Sequence, residues 1–198
     1  MKNKIKHVRD YFRKIDWVLD KIDKNQIEKL VKIFVRIRKR KGRVVFLGVG
    51  GSAGNCSHAV NDFRKICEIE CYAPTDNVSE LTARINDEGW ESSFANWLMI
   101  SNLSSKDAIF IMSVGGGNKK KNVSVNLIKA IQFAKKRRAK VLGIVGRDGG
   151  YTKKVGDNVI LIPTINKKLV TPYCESFHSV VWHCLVSHPI LQKKKMKW

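Results

Sequence analysis

The sequence predicts an α/β protein: a three-layer, doubly wound parallel sheet flanked by helices, preceded by an N-terminal helical segment. Three observations carry this. Short apolar runs, Val44-Val45-Phe46-Leu47, Ala108-Ile109-Phe110-Ile111-Met112 and Val141 to Val145, alternate with stretches of helical periodicity. Each run is apolar throughout, as in strands covered on both faces, rather than at every second residue. A glycine-rich turn follows each of them, at the carboxyl end, where such sheets bind ligands.

Taken in order, residues 5–40 read as helix. Ile5, Val8, Phe12, Ile15, Val18-Leu19 and Ile22 recur at helical spacing. The pattern resumes with Ile27, Leu30-Val31, Phe34 and Ile37 and stops at Gly42, so the segment is one helix or two divided at Asp23-Lys24-Asn25. Val44 to Leu47 is the first strand, Gly48-Val49-Gly50-Gly51-Ser52 its turn, and Ala53 to Lys65 a helix. Glu68 to Tyr72 is the second strand, and Thr75 to Leu81 is a polar loop leading into helix. Asn86-Asp87-Glu88-Gly89 reads as a turn-like break and Trp90 to Asn102 as helix. The strand Ala108 to Met112 ends at Ser113-Val114-Gly115-Gly116-Gly117-Asn118, and helix Val123 to Arg138 follows. Val141 to Val145 ends at Gly146-Arg147-Asp148-Gly149-Gly150, Val159 to Pro163 is the last strand, and Pro172 to Val186 the closing helix. No linker interrupts this pattern. Residues 1–42 are the helical segment and 43–198 the sheet-bearing part of one domain.

Length and composition exclude several classes. A chain of 198 residues with 43% hydrophobic content and 4 prolines buries a proper core. No apolar run spans a bilayer, and Met1-Lys2-Asn3-Lys4-Ile5-Lys6 leads into no signal region. Cys56, Cys67, Cys71, Cys174 and Cys184 are odd in number and lack a C-x-x-C pair, which points to reduced thiols and a cytoplasmic setting. The net charge of +21 attracts anions. Its lysines and arginines are scattered through helices and tails with no nucleic-acid-binding motif, so a solvated surface drawing a small anionic substrate is expected rather than nucleic acid.

Strand, glycine turn and helix opening make a phosphate cradle at Gly48 to Ser52, from backbone N–H groups and the helix dipole. By itself this turn matches neither G-x-G-x-x-G nor a P-loop. The second turn, where Ser113 precedes three glycines, strengthens it by adding hydroxyl and N–H donors to one crevice. His58 and Asp62, four residues apart, share a helix face. On the last helix Glu175 and His183 are eight apart and share another, with His178 one turn from Glu175. Such nitrogen and oxygen ligands from two helices suit a tetrahedral zinc site, or serve without metal as acid and base. The cysteines read as core residues, Trp182 as packing, His188 as a terminal surface residue, and His7 has no partner in view.

Several ordered motifs together resemble the phosphoheptose isomerases, which are sugar isomerase (SIS) domain proteins. They are Gly50-Gly51-Ser52, His58, Asp76-Asn77-Val78-Ser79, Asn86-Asp87, Ser113 after a strand, Gly146-Arg147-Asp148-Gly149-Gly150 and the helix from Glu175 to His183. The resemblance runs from about Arg43 to Leu185 and makes 43–198 the SIS domain. It implies conversion of sedoheptulose 7-phosphate to D-glycero-D-manno-heptose 7-phosphate, for lipopolysaccharide or capsule, by a homotetramer with sites between subunits. It assigns the phosphate to Ser52, Ser113 and Ser124 with the backbone of Gly50, Gly51, Val114 and Gly115, and the sugar chain to Asn86, Asp87 and Glu175. Asp62 falls where the family has its base and His183 where it has the second acid/base, Glu175 being an alternative base. His58, Asp62, Glu175 and His183 match its zinc positions. Four departures set this chain apart. Asp62 replaces Glu, Glu175 replaces Gln, Val49 replaces an Asn, and Gly115 to Lys121 makes a longer, serine-poor second loop. They leave open a different phosphosugar, or a non-catalytic phosphosugar-binding module.

Overall fold

A computed structural model describes residues 2–195, with side chains described from Lys6 onward. Met1, the side chain of Ile5 and residues 196–198 of the expected domain lie outside the described residues. Helices α1 (Lys2–Lys21) and α2 (Lys24–Lys39) come first, divided at Asp23, whose carboxylate caps α2 by accepting from the Gln26 N–H. Then follow β1 (Val44–Leu47), α3 (Gly51–Lys65), β2 (Cys71–Tyr72), α4 (Val78–Glu88) and α5 (Ser93–Ile100). The chain continues through β3 (Ala108–Ser113), α6 (Val125–Lys136), β4 (Lys140–Val145), α7 (Gly150–Val155), β5 (Asn158–Leu161) and α8 (Val170–Val186).

The five strands form one sheet in the order β2-β1-β3-β4-β5, parallel throughout. Alternate side chains face opposite layers. Phe46, Phe110, Met112 and Ile144 pack toward α2, α3 and α8, while Leu47, Ile109, Ile111 and Val141 pack toward α5 and α6. Aromatic rings knit the first layer: Phe63 of α3 lies 4.8 Å from Phe34 of α2 and 5.2 Å from Phe46 of β1, centroid to centroid. The N-terminal helix is tied down where Tyr11 stacks on Tyr173 at 4.7 Å and the Tyr173 hydroxyl donates to the Tyr11 carbonyl.

This order puts β1 and β3 side by side while the chain leaves β1 for β2 on one side and β3 for β4 on the other. The crevice beyond their carboxyl ends is the switch point where α/β sheets take ligands. Both glycine turns open there.

Several element bounds differ from expectation, α5, β5 and α8 by one to three residues at an end. The second strand shrinks to Cys71–Tyr72 because residues 66–69 still finish α3: Glu68 is left-handed (φ 53°) and the Ile69 N–H is spent on the Phe63 carbonyl. Asn86, Asp87 and Glu88 continue α4, and the break spans residues 89–92, opening at Gly89 (φ 84°). Helix α6 starts at Val125 rather than Val123, because Val123 pairs with Asn118 in a small hairpin. Helix α7 gave no signal of its own, since six residues are too few to display a period.

Candidate active site

Helices α3 and α8 run side by side in the same direction across the crevice. Gly50, at φ 62° and ψ −131°, takes a conformation that glycine alone adopts readily and lets α3 begin directly at Gly51. A side chain on Gly48 would stand 2.6 Å from the Ser52 carbonyl oxygen, so the turn closes only without one. A Cβ on Gly51 would stand 2.5 Å from Glu175 Oε2, which shows where the Glu175 carboxylate lies: over the opening turn of α3. Buried Ser52 donates its Oγ hydrogen to Glu175 Oε1 at 3.4 Å.

One turn along, Asn55 clamps the two helices. Its Nδ2 donates to the Gly51 carbonyl (3.2 Å) and the Glu175 carbonyl (3.3 Å). Its Oδ1 accepts from Ser179 Oγ (2.6 Å) and Trp182 Nε1 (3.4 Å). Sequence reading missed Asn55 and Ser179. The signal was there, since Asn55 lies midway between Ser52 and His58 at helical spacing. Asn55→Leu is expected to cost about 1–3 kcal/mol in denaturant unfolding by stranding those partners, with Asn55→Asp, which keeps the acceptor, recovering part of it.

A further turn along, His58, Asp62 and His183 converge, with one ligand atom from each lying within 4.8 Å of the others. The imidazoles of His58 and His183 meet edge to face, 5.6 Å between centroids. Trp182, buried, stacks on His183 at 3.5 Å and flanks His58 at 4.7 Å. His183 Nδ1 lies 2.8 Å from the Ser179 carbonyl. A carbonyl can only accept, so Nδ1 carries the hydrogen and Nε2 presents its lone pair. Asp62 is 2% exposed; Asn61 Nδ2 donates to its Oδ1 at 2.8 Å. Among the described residues its Oδ2 has no hydrogen-bond partner, and it faces His58 Nε2 at 3.9 Å. A buried carboxylate oxygen without a donor is costly, and two imidazole nitrogens beside it are a donor set that suits zinc with one position left open. Glu175, expected as a fourth ligand, does not join the group. Eight residues of helix amount to about 12 Å of rise, so a shared face is not a shared site.

The second turn is equally shaped. Buried Ser113 accepts at Oγ from the Gly116 N–H, 3.0 Å away. Val114 packs against the core, and Gly115 lines a cavity of about 260 Å³ with Asn118, Lys121, Val123, Arg147 and Asp148. Ser124 opens α6 from a left-handed conformation (φ 53°), its side chain making no cap bond. Asn86 and Asp87 are exposed on α4 and hydrogen-bonded to each other; no described contact joins them to either turn.

The remaining candidates are structural. His178 is buried in the core, its Nε2 3.4 Å from Cys174 Sγ, and burial lowers its pKa to about 4. Cys56 is fully buried and its thiol is pushed up by desolvation, against a nucleophilic role. Cys67, Cys71 and Cys174 are likewise buried, whereas Cys184 is exposed rather than part of the core. His188, expected at the surface, is largely covered and pairs with Glu28 at 3.5 Å; His7 lies 6.3 Å from the Tyr11 ring. No helix among the described residues is long and apolar enough to cross a membrane.

Residues 10–146 match the profile of the SIS domain, and the chain belongs to the SIS domain family. Within it the chain stands with the phosphoheptose isomerases. The phosphoheptose isomerase of Nitratiruptor sp. is 31% identical over 160 residues, covering 78% of this chain and 80% of that protein. The lincomycin biosynthesis protein LmbN of Streptomyces lincolnensis is 32% identical over 158 residues, 74% of this chain, which spans only 56% of that longer relative. The fold agrees with the structure of phosphoheptose isomerase GmhA from Neisseria gonorrhoeae at a TM-score of 0.79, with 21% identity, over 93% of this chain and 96% of that one.

Proposed function

We infer that this protein is an aldose–ketose isomerase that converts sedoheptulose 7-phosphate to D-glycero-D-manno-heptose 7-phosphate through an enediol. The observation that carries the reading is the convergence of buried Asp62 with His58 and His183, further along the face of α3 that opens at the glycine turn. Ser52, Ser113 and Ser124, with the backbone of Gly50, Gly51 and Gly115, hold the phosphate. Asp62, shielded from water, removes the proton beside the carbonyl and returns it to the neighbouring carbon. With no metal bound, His183, its Nδ1 hydrogen anchored on Ser179, exchanges a proton with the substrate oxygen through Nε2; with zinc bound, that lone pair would be a metal ligand instead. Glu175, over the first turn, accepts from a sugar hydroxyl, and Asn86 and Asp87 contact the sugar chain.

His58, Asp62 and His183 are the residues that would hold zinc. Bound there, zinc supplies Lewis-acid polarisation of the substrate carbonyl. A cytoplasmic homotetramer with sites between subunits, making heptose for lipopolysaccharide or capsule, belongs to the same reading.

The test is turnover by purified protein across a panel of keto- and aldo-phosphosugars, with and without chelator. Isomerisation of the heptose 7-phosphate, lost on chelation and restored by zinc, is expected. Binding of phosphosugars without turnover of any would make the protein a sensor module instead.

A further inference from the structure

The motif Gly146 to Gly150 has no part in the chemistry above, yet its backbone is fixed against the second glycine turn. Arg147 is left-handed (φ 51°), a conformation uncommon for a residue with a Cβ. Its surroundings are two interlocked glycine turns. A Cβ on Gly116 would run into the Gly149 carbonyl, and one on Gly150 into the carbonyls of Gly115 and Gly117. Thr152 fastens the joint by donating from both N and Oγ1 to the Gly116 carbonyl, at 2.9 and 2.8 Å. Tyr151 N donates to the Gly117 carbonyl at 2.8 Å. The Arg147 side chain therefore runs beside Gly115, its Cδ 4.0 Å from where a Gly115 Cβ would be.

Across the same cavity stands the hairpin inserted in the second turn. Asn118 and Val123 exchange both backbone hydrogen bonds (2.9 and 3.0 Å), and Asn118 Oδ1 accepts from the Lys121 N–H at 3.0 Å. This presents Lys121 to the cavity that Arg147 also lines. Among the described residues neither cation has an ion pair. The one acid in the lining, Asp148, accepts at Oδ1 from the Gly150 N–H at 3.1 Å. Val123, two residues before α6, also lines the cavity.

We propose that Arg147 and Lys121 are phosphate-binding residues that grip a phosphate monoester across Gly115, their two positive charges standing in for hydroxyls that this serine-poor turn lacks. The proposal rests on the phosphosugar reading above and adds residues to its binding site. Arg147 offers a planar fork to the phosphate oxygens and Lys121 a point charge. The two turns fix the backbone from which each cation projects.

The test compares Arg147→Gln, Lys121→Gln, Arg147→Lys and the double glutamine variant with the parent protein. Two probes are used: KM and kcat for sedoheptulose 7-phosphate, and calorimetric binding of inorganic phosphate. Each glutamine variant is expected to raise KM and the phosphate dissociation constant by about tenfold or more, the size of one charge-assisted hydrogen bond, with kcat within about twofold. The salt dependence of kcat/KM becomes shallower, and Arg147→Lys recovers part of the loss. Unchanged KM and phosphate binding in both single variants would overturn the proposal while leaving the isomerase intact. Should the parent turn over no phosphosugar while the variants still lose phosphate binding, the isomerase reading falls and the anion seat stands. If circular dichroism shows Arg147→Gln unfolded, Lys121→Gln, on the exposed hairpin, decides alone.

Discussion

Asp62→Asn is expected to lower kcat by about 10³-fold or more while leaving the thermal melt of the protein nearly unchanged. The amide matches the carboxylate in shape, and the Asn61 contact needs only an acceptor oxygen, which an amide keeps. What disappears is the proton acceptor, and general acid–base catalysis contributes about 10²–10⁴-fold. His183→Ala should match that loss by removing the Nε2 lone pair that the Ser179 carbonyl orients. Metal uptake provides a reading independent of turnover: zinc titration should show weaker binding in both variants, since each removes one of three clustered ligands. Full activity in either variant would strike that residue from the mechanism.

The second large effect concerns stability. His178 is completely buried, its Nδ1 makes no well-formed hydrogen bond among the described residues, and burial, only partly opposed by the Ile144 backbone, lowers its pKa to about 4 from the ordinary value of 6.5. Because the folded state holds the neutral ring, the unfolded chain binds the extra proton. Stability is therefore whole above about pH 6.5, declines as pH falls toward 4, and loses nothing more to this residue below that. At 1.36 kcal/mol per unit the drop is about 2 kcal/mol between pH 6.5 and 5, and about 3 kcal/mol by pH 4. Carboxylates titrate over the lower part of that range, so the informative quantity is a difference. Denaturant unfolding of parent and His178→Leu at pH 7, 6 and 5 should show a shallower slope for the leucine variant. Equal slopes would mean that the ring finds a partner when protonated.

Which parts of the molecule were legible beforehand follows from range. The parallel sheet could be read from Val44 to Leu47, Ala108 to Met112 and Val141 to Val145, because burial on both faces demands unbroken apolar runs. The glycine turns could be read because Gly50 takes a backbone conformation that other residues rarely adopt and Gly116 has no room for a Cβ beside the Gly149 carbonyl. The pairing of His58 with Asp62 could be read because both lie on one helix, four residues apart.

Distances between elements were another matter. Periodicity puts Glu175 and His183 on the same face of α8, yet only the way α3 lies against α8 decides that Glu175 meets Gly51 and Ser52 while His183 meets His58 and Asp62. Asn55 looked like an ordinary helical asparagine until the second helix brought it Ser179 and Trp182. Arg147 and Lys121 are 26 residues apart in the chain and face one cavity only because two turns interlock through glycines. By itself the sequence determined the strands, the turns and the residues able to do chemistry, since local backbone and burial preferences act over a few residues. Which of those residues share a site was decided by the tertiary structure, since helix packing sets those distances and no local pattern encodes them.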